Sequence, residues 1–270
     1  MQQETIFVNL MGRIGNIMFQ TAAALSLARK HNARVVAIPN PTYTLPAPDN
    51  GKSLLDYLIP YKDIFFKNVE ITDELPEKAI VYVEPSFEYR NLPFTDNIYL
   101  IGFFQSEKYF DVQYIRKVFS IDKRIKTSLT ERYGDLLLQA PVSINVRRGD
   151  YLLQPDYHPV CSLEYYRKCI ELAGAERCFI VTSDDIDWCR NNLYGCEFHF
   201  VSDVSPLENL FLQSMCRDHI ISNSTFSWWG AWLDPNSRKK VYAPKRWFGR
   251  ELQCHNTKDL LPEGWIVVDE

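Results

Sequence analysis

Apolar residues in this chain come in short β-branched runs that alternate with longer stretches of helical spacing. Runs at 5–10, 34–38, 79–83 and 98–101 read as strands in the first half, with helix-forming residues 21–30 between the first two. Residues 111–139 carry Ile115, Val118, Phe119, Leu129, Tyr133, Leu136 and Leu137 at mixed spacings of three and four, which predicts helix throughout. In the second half, strands are expected at 142–146, 178–182, 197–201, 219–222 and 240–243, with helices opening at Ser162, near Pro206 and at Phe226. Such alternation is the sign of mainly parallel, doubly wound sheets. The pattern suggests two domains, 1–140 and 141–270, and an exposed loop where Pro39-Asn40-Pro41 and residues 45–51 interrupt regular structure.

Polar residues gather where these strands end. The run from Pro141 to Val146 leads without a break into Arg147-Arg148-Gly149-Asp150-Tyr151. Ligands of open α/β sheets bind beyond the carboxyl ends of the strands, and guanidinium groups suit phosphate, so this pair points to an anionic ligand. The plain alternative is an exposed pair neutralised by Asp150 and solvent. Gly12-Arg13-Ile14-Gly15-Asn16 stands at a strand-to-helix turn, where glycines admit a ligand to the backbone and Arg13, Asn16 and Gln20 offer donors. An ordinary turn with Met18 and Phe19 in the core would look the same. The stretch from Gly102 to Phe110 sets aromatics beside Gln105 and Glu107, either as a sugar platform or as core with Ser106 capping a helix; core is the expected fate of Phe103 and Phe110. Ser183-Asp184-Asp185 closes another strand, and Asn223-Ser224-Thr225-Phe226 follows a further one, with hydroxyls able to cap a helix and cradle a phosphate. Trp228, Trp229 and Trp232 read as core. His158, in the loop past the arginines, is a candidate acceptor contact or base.

Composition narrows the partners. With 270 residues, 46% of them hydrophobic, the chain has enough for two modest cores. Its net charge of −4 favours neither nucleic acid nor an anionic membrane, so any basic site is local. Seven cysteines form an odd set with no C-x-x-C pair and no histidine at zinc-finger spacing, and read as reduced. The first ten residues show no basic region followed by an apolar one, and no apolar stretch is long enough to span a bilayer, so a cytoplasmic protein is expected. The arginine pair and the lack of a clear metal-ligand cluster mean that no metal cofactor is expected, Asp184 and Asp185 being the only adjacent carboxylates at an expected strand end.

Four motifs, taken in order, resemble the bacterial branch of the α-1,2-fucosyltransferase family: Gly12 to Gln20, Gly102 to Phe110, Val146 to Tyr151, and Ile221 to Gly230. The resemblance spans nearly the whole chain. It implies the α/β arrangement called GT-B, two Rossmann-like domains with mainly parallel sheets facing a cleft, the first on the acceptor side and the second holding a GDP-sugar donor. It further implies inverting, metal-independent transfer of L-fucose from GDP-β-L-fucose to the 2-hydroxyl of a galactose-terminated glycan. By the same likeness Arg148 meets the pyrophosphate, Arg13, Gly15, Asn16, Asn145 and Arg147 approach the donor, Asp184 lies beside the nucleoside, and Ser224, Thr225 and Phe226 line the phosphates. Gln105 and His158 are acceptor candidates, and Asp150 is either the base or a structural partner of the arginines. The family usually has histidine where this chain has Asn145. Two alternatives therefore stay open: transfer of another sugar from a GDP-like donor, and a protein that binds nucleotide sugar or glycan without turnover.

Overall fold

The computed structural model describes residues 3–46, 49–74 and 77–269. The chain divides into two compact units, Met1–Ser120 with His255–Pro262, and Ile121–Cys254 with Glu263–Glu270.

In the first unit, β1 (Thr5–Leu10), β2 (Arg34–Pro39), β3 (Val69–Ile71), β4 (Ile80–Val83) and β5 (Ile98–Ile101) form one sheet in the order β3-β2-β1-β5-β4. Every pairing in it is parallel. All six residues of β1 are buried, as its position in the middle of the sheet requires. Helix α1 (Ile14–His31) connects β1 to β2, burying Ala22, Ala23 and Ala24, and stops where Asn32 turns left-handed (φ 54°) behind the basic last turn Arg29-Lys30-His31. Short helices α2 (Leu54–Leu58) and α3 (Lys62–Phe65) precede β3, and α4 (Val112–Val118) follows β5. The chain steps outward from β1 to β3, then returns to the far side of β1. Its switch point lies between β1 and β5.

The second unit begins with α5 (Lys123–Leu138) and continues β6 (Val142–Val146), α6 (Leu163–Ala173), β7 (Cys178–Ser183), α7 (Ile186–Asn192), β8 (Glu197–Val201), α8 (Pro206–Ser214), β9 (Asp218–Ile220), α9 (Thr225–Leu233), β10 (Val241–Pro244) and β11 (Ile266–Val268). Its sheet runs β11-β10-β9-β6-β7-β8, again all parallel. Counted from β6, that is the doubly wound order 3-2-1-4-5-6, whose switch point falls between β6 and β9. Val142, Ile144 and Val146 join a core with Tyr165, Tyr166 and Cys169 of α6, while the alternate residues Ser143 and Asn145 take the opposite face of the strand.

Several details differ from the sequence expectation. The stretch 111–139 is two helices, because Asp122 interrupts it and accepts a hydrogen bond from Arg124 N at 2.8 Å as the cap of α5. The units divide at that break rather than at 140: Tyr133 of α5 donates its hydroxyl to Asp203, a second-unit residue, at 2.6 Å. Strands β3 and β11, only three residues each, were too short to register as pattern. The loop at 45–51 is not simply exposed, since Leu45 is buried; its Ala47 and Pro48 lie outside the described residues. Phe104 and Tyr109, rather than Phe103 or Phe110, are the buried aromatics of their motif. None of the seven cysteines forms a disulfide, and no helix among the described residues is long and apolar enough to cross a membrane.

Candidate functional site

Charge concentrates at the carboxyl end of β6. Arg147 places one terminal nitrogen 2.5 Å from Asp150 Oδ1 and the other 3.0 Å from Asp184 Oδ2. Arg148 turns elsewhere: its Nε is 3.0 Å from Asp185 Oδ2, and its guanidinium carbon stands 4.1 Å from the centroid of the Trp188 ring. Asp184 also accepts the backbone N–H of Arg148 at 2.9 Å. A Cβ at position 149 would stand 2.5 Å from Asp184 Oδ2, so glycine is what lets this carboxylate lie against the turn. Two guanidinium groups and three carboxylates sum to a formal charge of −1. An anion bound here relies on directed N–H donors, not on net charge. Arg148 supplies such donors, because its Nη1 and Nη2 meet no protein acceptor among the described residues.

Aromatics and the α9 turn frame this cluster. The Tyr151 ring lies 5.3 Å from the Arg147 guanidinium and stacks on His158 at 5.0 Å, while its hydroxyl donates to the Asn223 carbonyl at 3.2 Å. Burial pushes His158 below its ordinary value, so its ring is neutral at pH 7. Asn223 donates to the carbonyls of Pro159 at 2.8 Å and Trp247 at 3.0 Å, tying together the loops that follow β6, β9 and β10. Ser224 caps α9 by accepting from Phe226 N at 3.3 Å, and Thr225 and Phe226 remain half-buried at the helix start. Trp228, Trp229 and Trp232 are core, as expected.

Asn145 lies one layer deeper than Arg147. It is buried, donates its amide to Thr182 Oγ1 at 3.0 Å, and has its Oδ1 3.5 Å from Ser222 Oγ. Its side chain thus links the ends of β7, β6 and the turn after β9. The shared face with Arg147 follows from strand alternation, but two residues of rise leave Asn145 inside the sheet.

The first unit gathers polar groups at its own switch point. Helix α1 starts at Ile14, so Gly15 and Asn16 occupy its first turn rather than the bend before it. Arg13 donates to Asp49 Oδ2 at 3.3 Å and to the Pro46 carbonyl at 3.1 Å, which is why the proline-rich loop folds back. Gln105, beyond β5, donates to Asn16 Oδ1 at 3.0 Å and so joins the two motifs on either side of the switch point. The Gln105 Oε1 is buried without a protein partner. Glu84 sets the Gln105 position: its carboxylate accepts from Phe103 N at 2.7 Å and Phe104 N at 3.0 Å, holding Phe104 at a φ of 51°. Burial raises the Glu84 carboxyl above the ordinary carboxylate range. Phe103 stacks on Phe87 at 5.9 Å.

Sequence reasoning missed Glu84, Asp49, Trp188 and Thr182. Each lies in another element from the motif it supports, so no local spacing announced it. Asp185 was visible as a carboxylate but not as the partner of Arg148.

Comparison with known proteins places this geometry. Residues 1–269 match the model of glycosyl transferase family 11. The chain is 28% identical over 305 residues to the O-antigen biosynthesis glycosyltransferase WbnK of Escherichia coli, covering 95% of this chain and 98% of that one. It is 29% identical over 295 residues to an alpha-1,2-colitosyltransferase of Escherichia coli, covering 98% and 99%. Among solved structures, the NodZ alpha-1,6-fucosyltransferase soaked with GDP-fucose superposes with a TM-score of 0.55 at 13% identity, over 87% of this chain and 94% of that one, a likeness of fold. Two all-parallel sheets of this kind, with polar motifs at both switch points, therefore have the GT-B fold that the motifs implied, and the chain belongs to glycosyl transferase family 11.

Proposed function

We propose that this glycosyltransferase moves L-fucose from GDP-β-L-fucose to the 2-hydroxyl of a terminal galactose with inversion, the second unit holding the donor and the first the acceptor. The observation that carries the reading is Arg148, whose two terminal nitrogens stay uncommitted at the carboxyl end of β6, beside the switch point of the second sheet. The acceptor oxygen attacks the anomeric carbon as the bond to the β-phosphate oxygen breaks, and the leaving GDP gains charge. Arg148, assisted by Arg147 and by the α9 start at Ser224, Thr225 and Phe226, meets that charge. Within the second unit Asp184 belongs to donor binding, and within the first Gln105 belongs to acceptor binding. The test is to incubate the chain with GDP-fucose and a panel of β-galactosides and to look for GDP release and a mass-shifted glycan. A second reading, transfer of a different sugar from a GDP-linked donor, draws support from the colitose-transferring relative and is decided by the donor accepted in the same assay.

Asp150 is assigned as the base, oriented by its contact with Arg147; His158 is the alternative. The two separate by pH. With Asp150 as base, His158→Gln is expected to leave the acid side of the kcat/KM profile unchanged. An acid limb below the ordinary histidine range that disappears in His158→Gln would transfer the role to His158, since burial moves its titration downward.

No metal takes part in this scheme, so transfer at 25 °C is expected to persist in EDTA. Loss restored by Mg²⁺ would instead assign Asp184 and Asp185 to a cation.

Asn145→His is expected to change kcat/KM by no more than about tenfold, because the position engages Thr182 and Ser222 with neutral hydrogen bonds worth about 1 kcal/mol. An inactive wild type whose histidine variant gains transfer would establish the non-catalytic alternative.

A further inference from the structure

At the opposite end of the second sheet, where its strands begin, three side chains with metal-binding chemistry converge. Cys178 opens β7 and pairs in register with Glu197, which opens the edge strand β8. His199 follows Glu197 by two residues and so shares its face. One ligand atom from each, the thiol sulfur, a carboxylate oxygen and an imidazole nitrogen, all lie within 4.8 Å of one another. Glu197 Oε1 is already 3.0 Å from His199 Nε2. The thiol is the buried floor of the group, His199 is half-buried, and Glu197 is exposed. Among the described residues nothing hydrogen-bonds Cys178 Sγ.

We propose that Cys178, Glu197 and His199 form a binding site for a zinc-class divalent cation, completed by water as fourth ligand. A mixed sulfur, nitrogen and oxygen set suits Zn²⁺ and excludes a preference for Mg²⁺ or Ca²⁺, which take oxygen ligands. Bond lengths of about 2.0–2.3 Å put tetrahedral ligand atoms about 3.3–3.6 Å apart. Contraction from 4.8 Å needs only side-chain rotation of Glu197 and His199, the two more exposed members. Binding displaces the thiol proton, forming a sulfur–zinc bond and releasing H⁺. The cation would cross-link β8, the edge strand, to β7. Ser183 lies five residue steps along the strand from Cys178, so the site stands roughly 16 Å from the Asp184 cluster and outside its chemistry.

Cobalt is the probe that tests this. The full chain, stripped with chelator and dialysed, is titrated with Co²⁺, and one equivalent is expected to give a thiolate-to-cobalt band with the strong visible bands of tetrahedral coordination, both removed by Zn²⁺. Zn²⁺ is also expected to raise Tm by several degrees, reversibly with EDTA. Cys178→Ser and His199→Ala abolish the cobalt spectrum and the Tm rise, while Cys196→Ser and Cys254→Ser, which alter the two less buried cysteines, keep both. His199→Ala changes a partly exposed residue and carries the test if Cys178→Ser does not fold; its fucosyl transfer stays at the wild-type rate. Absence of the cobalt band in wild type, or its persistence in His199→Ala, overturns the assignment.

Discussion

Arg148→Ala is expected to lower turnover by about 10²-fold or more while leaving the protein folded. The loss follows from what the side chain does in the resting structure. Its Nε is anchored by Asp185 at 3.0 Å and its guanidinium carbon lies 4.1 Å from the centroid of the Trp188 ring, so the guanidinium is oriented before any ligand arrives. Two terminal nitrogens then stand ready as a fork for phosphate oxygens. Under the proposed mechanism, a donor fixed in this way stabilises the charge of the departing diphosphate more than it stabilises the bound substrate, so removal is expected to fall mainly on kcat. Folding survives because the ion pair with Asp185 is partly solvated, its members 16% and 33% exposed, and such pairs contribute about 1 kcal/mol or less. Arg148→Lys restores charge but not the fork or the stacking, and recovers only part of the rate. Steady-state kinetics with GDP-fucose, beside circular dichroism of each variant, provides the check. Turnover near that of wild type in Arg148→Ala would remove this residue from the mechanism and shift the role to Arg147.

The comparison between pattern and structure is uneven for physical reasons. Strands such as β1 and β6 are buried on both faces and therefore print as continuous apolar runs, so their positions, and with them the polar residues at their ends, were legible. The pairing order was not. That β6 neighbours β9, and β1 neighbours β5, is a long-range fact, and it is what turns separate motifs into neighbours at a switch point. Gln105 meeting Asn16 across 89 residues is the clearest case. The same limit hid the supporting shell: Asp185 and Trp188 hold Arg148 from α7, and Glu84 holds the Phe103–Phe104 turn from β4. Asn145 lies deeper in the sheet than the arginines after it, and depth is something strand alternation does not carry. The resemblance to known fucosyltransferases added what neither pattern nor pairing contains, an expected chemical class for the ligand.

The second large effect concerns stability. His219→Ala is expected to cost about 3–5 kcal/mol, since it opens a core cavity and strands two buried polar partners. His219 is completely buried on β9, with Nδ1 2.9 Å from Ser143 Oγ on the adjacent β6 and Nε2 3.0 Å from Asp234 Oδ2 just past α9. A carboxylate only accepts, so Nε2 carries the proton; in the neutral ring the Ser143 hydroxyl then donates to Nδ1, and every polar atom is satisfied. The relay has triad composition but no access to substrate. It fixes β6, β9 and the end of α9 together beneath the crevice, so its loss loosens the strands that aim Arg147 and Ser224. Burial moves His219 below its ordinary 6.5, against the opposing pull of Asp234. The unfolded chain therefore takes up a proton near pH 6.5 that the native ring refuses. Stability from this residue is complete above that pH and declines as pH falls toward the depressed native value, by at most about 1.4 kcal/mol per unit. Urea unfolding followed by tryptophan fluorescence reads this selectively, because all six tryptophans belong to the second unit. Above pH 7 the variant should unfold at clearly lower urea than wild type, and the gap should narrow on acidification through pH 6. A gap under about 1 kcal/mol at pH 7.5 would mean that the cavity collapses and the stranded partners find new ones, and that the relay contributes little to the site above it.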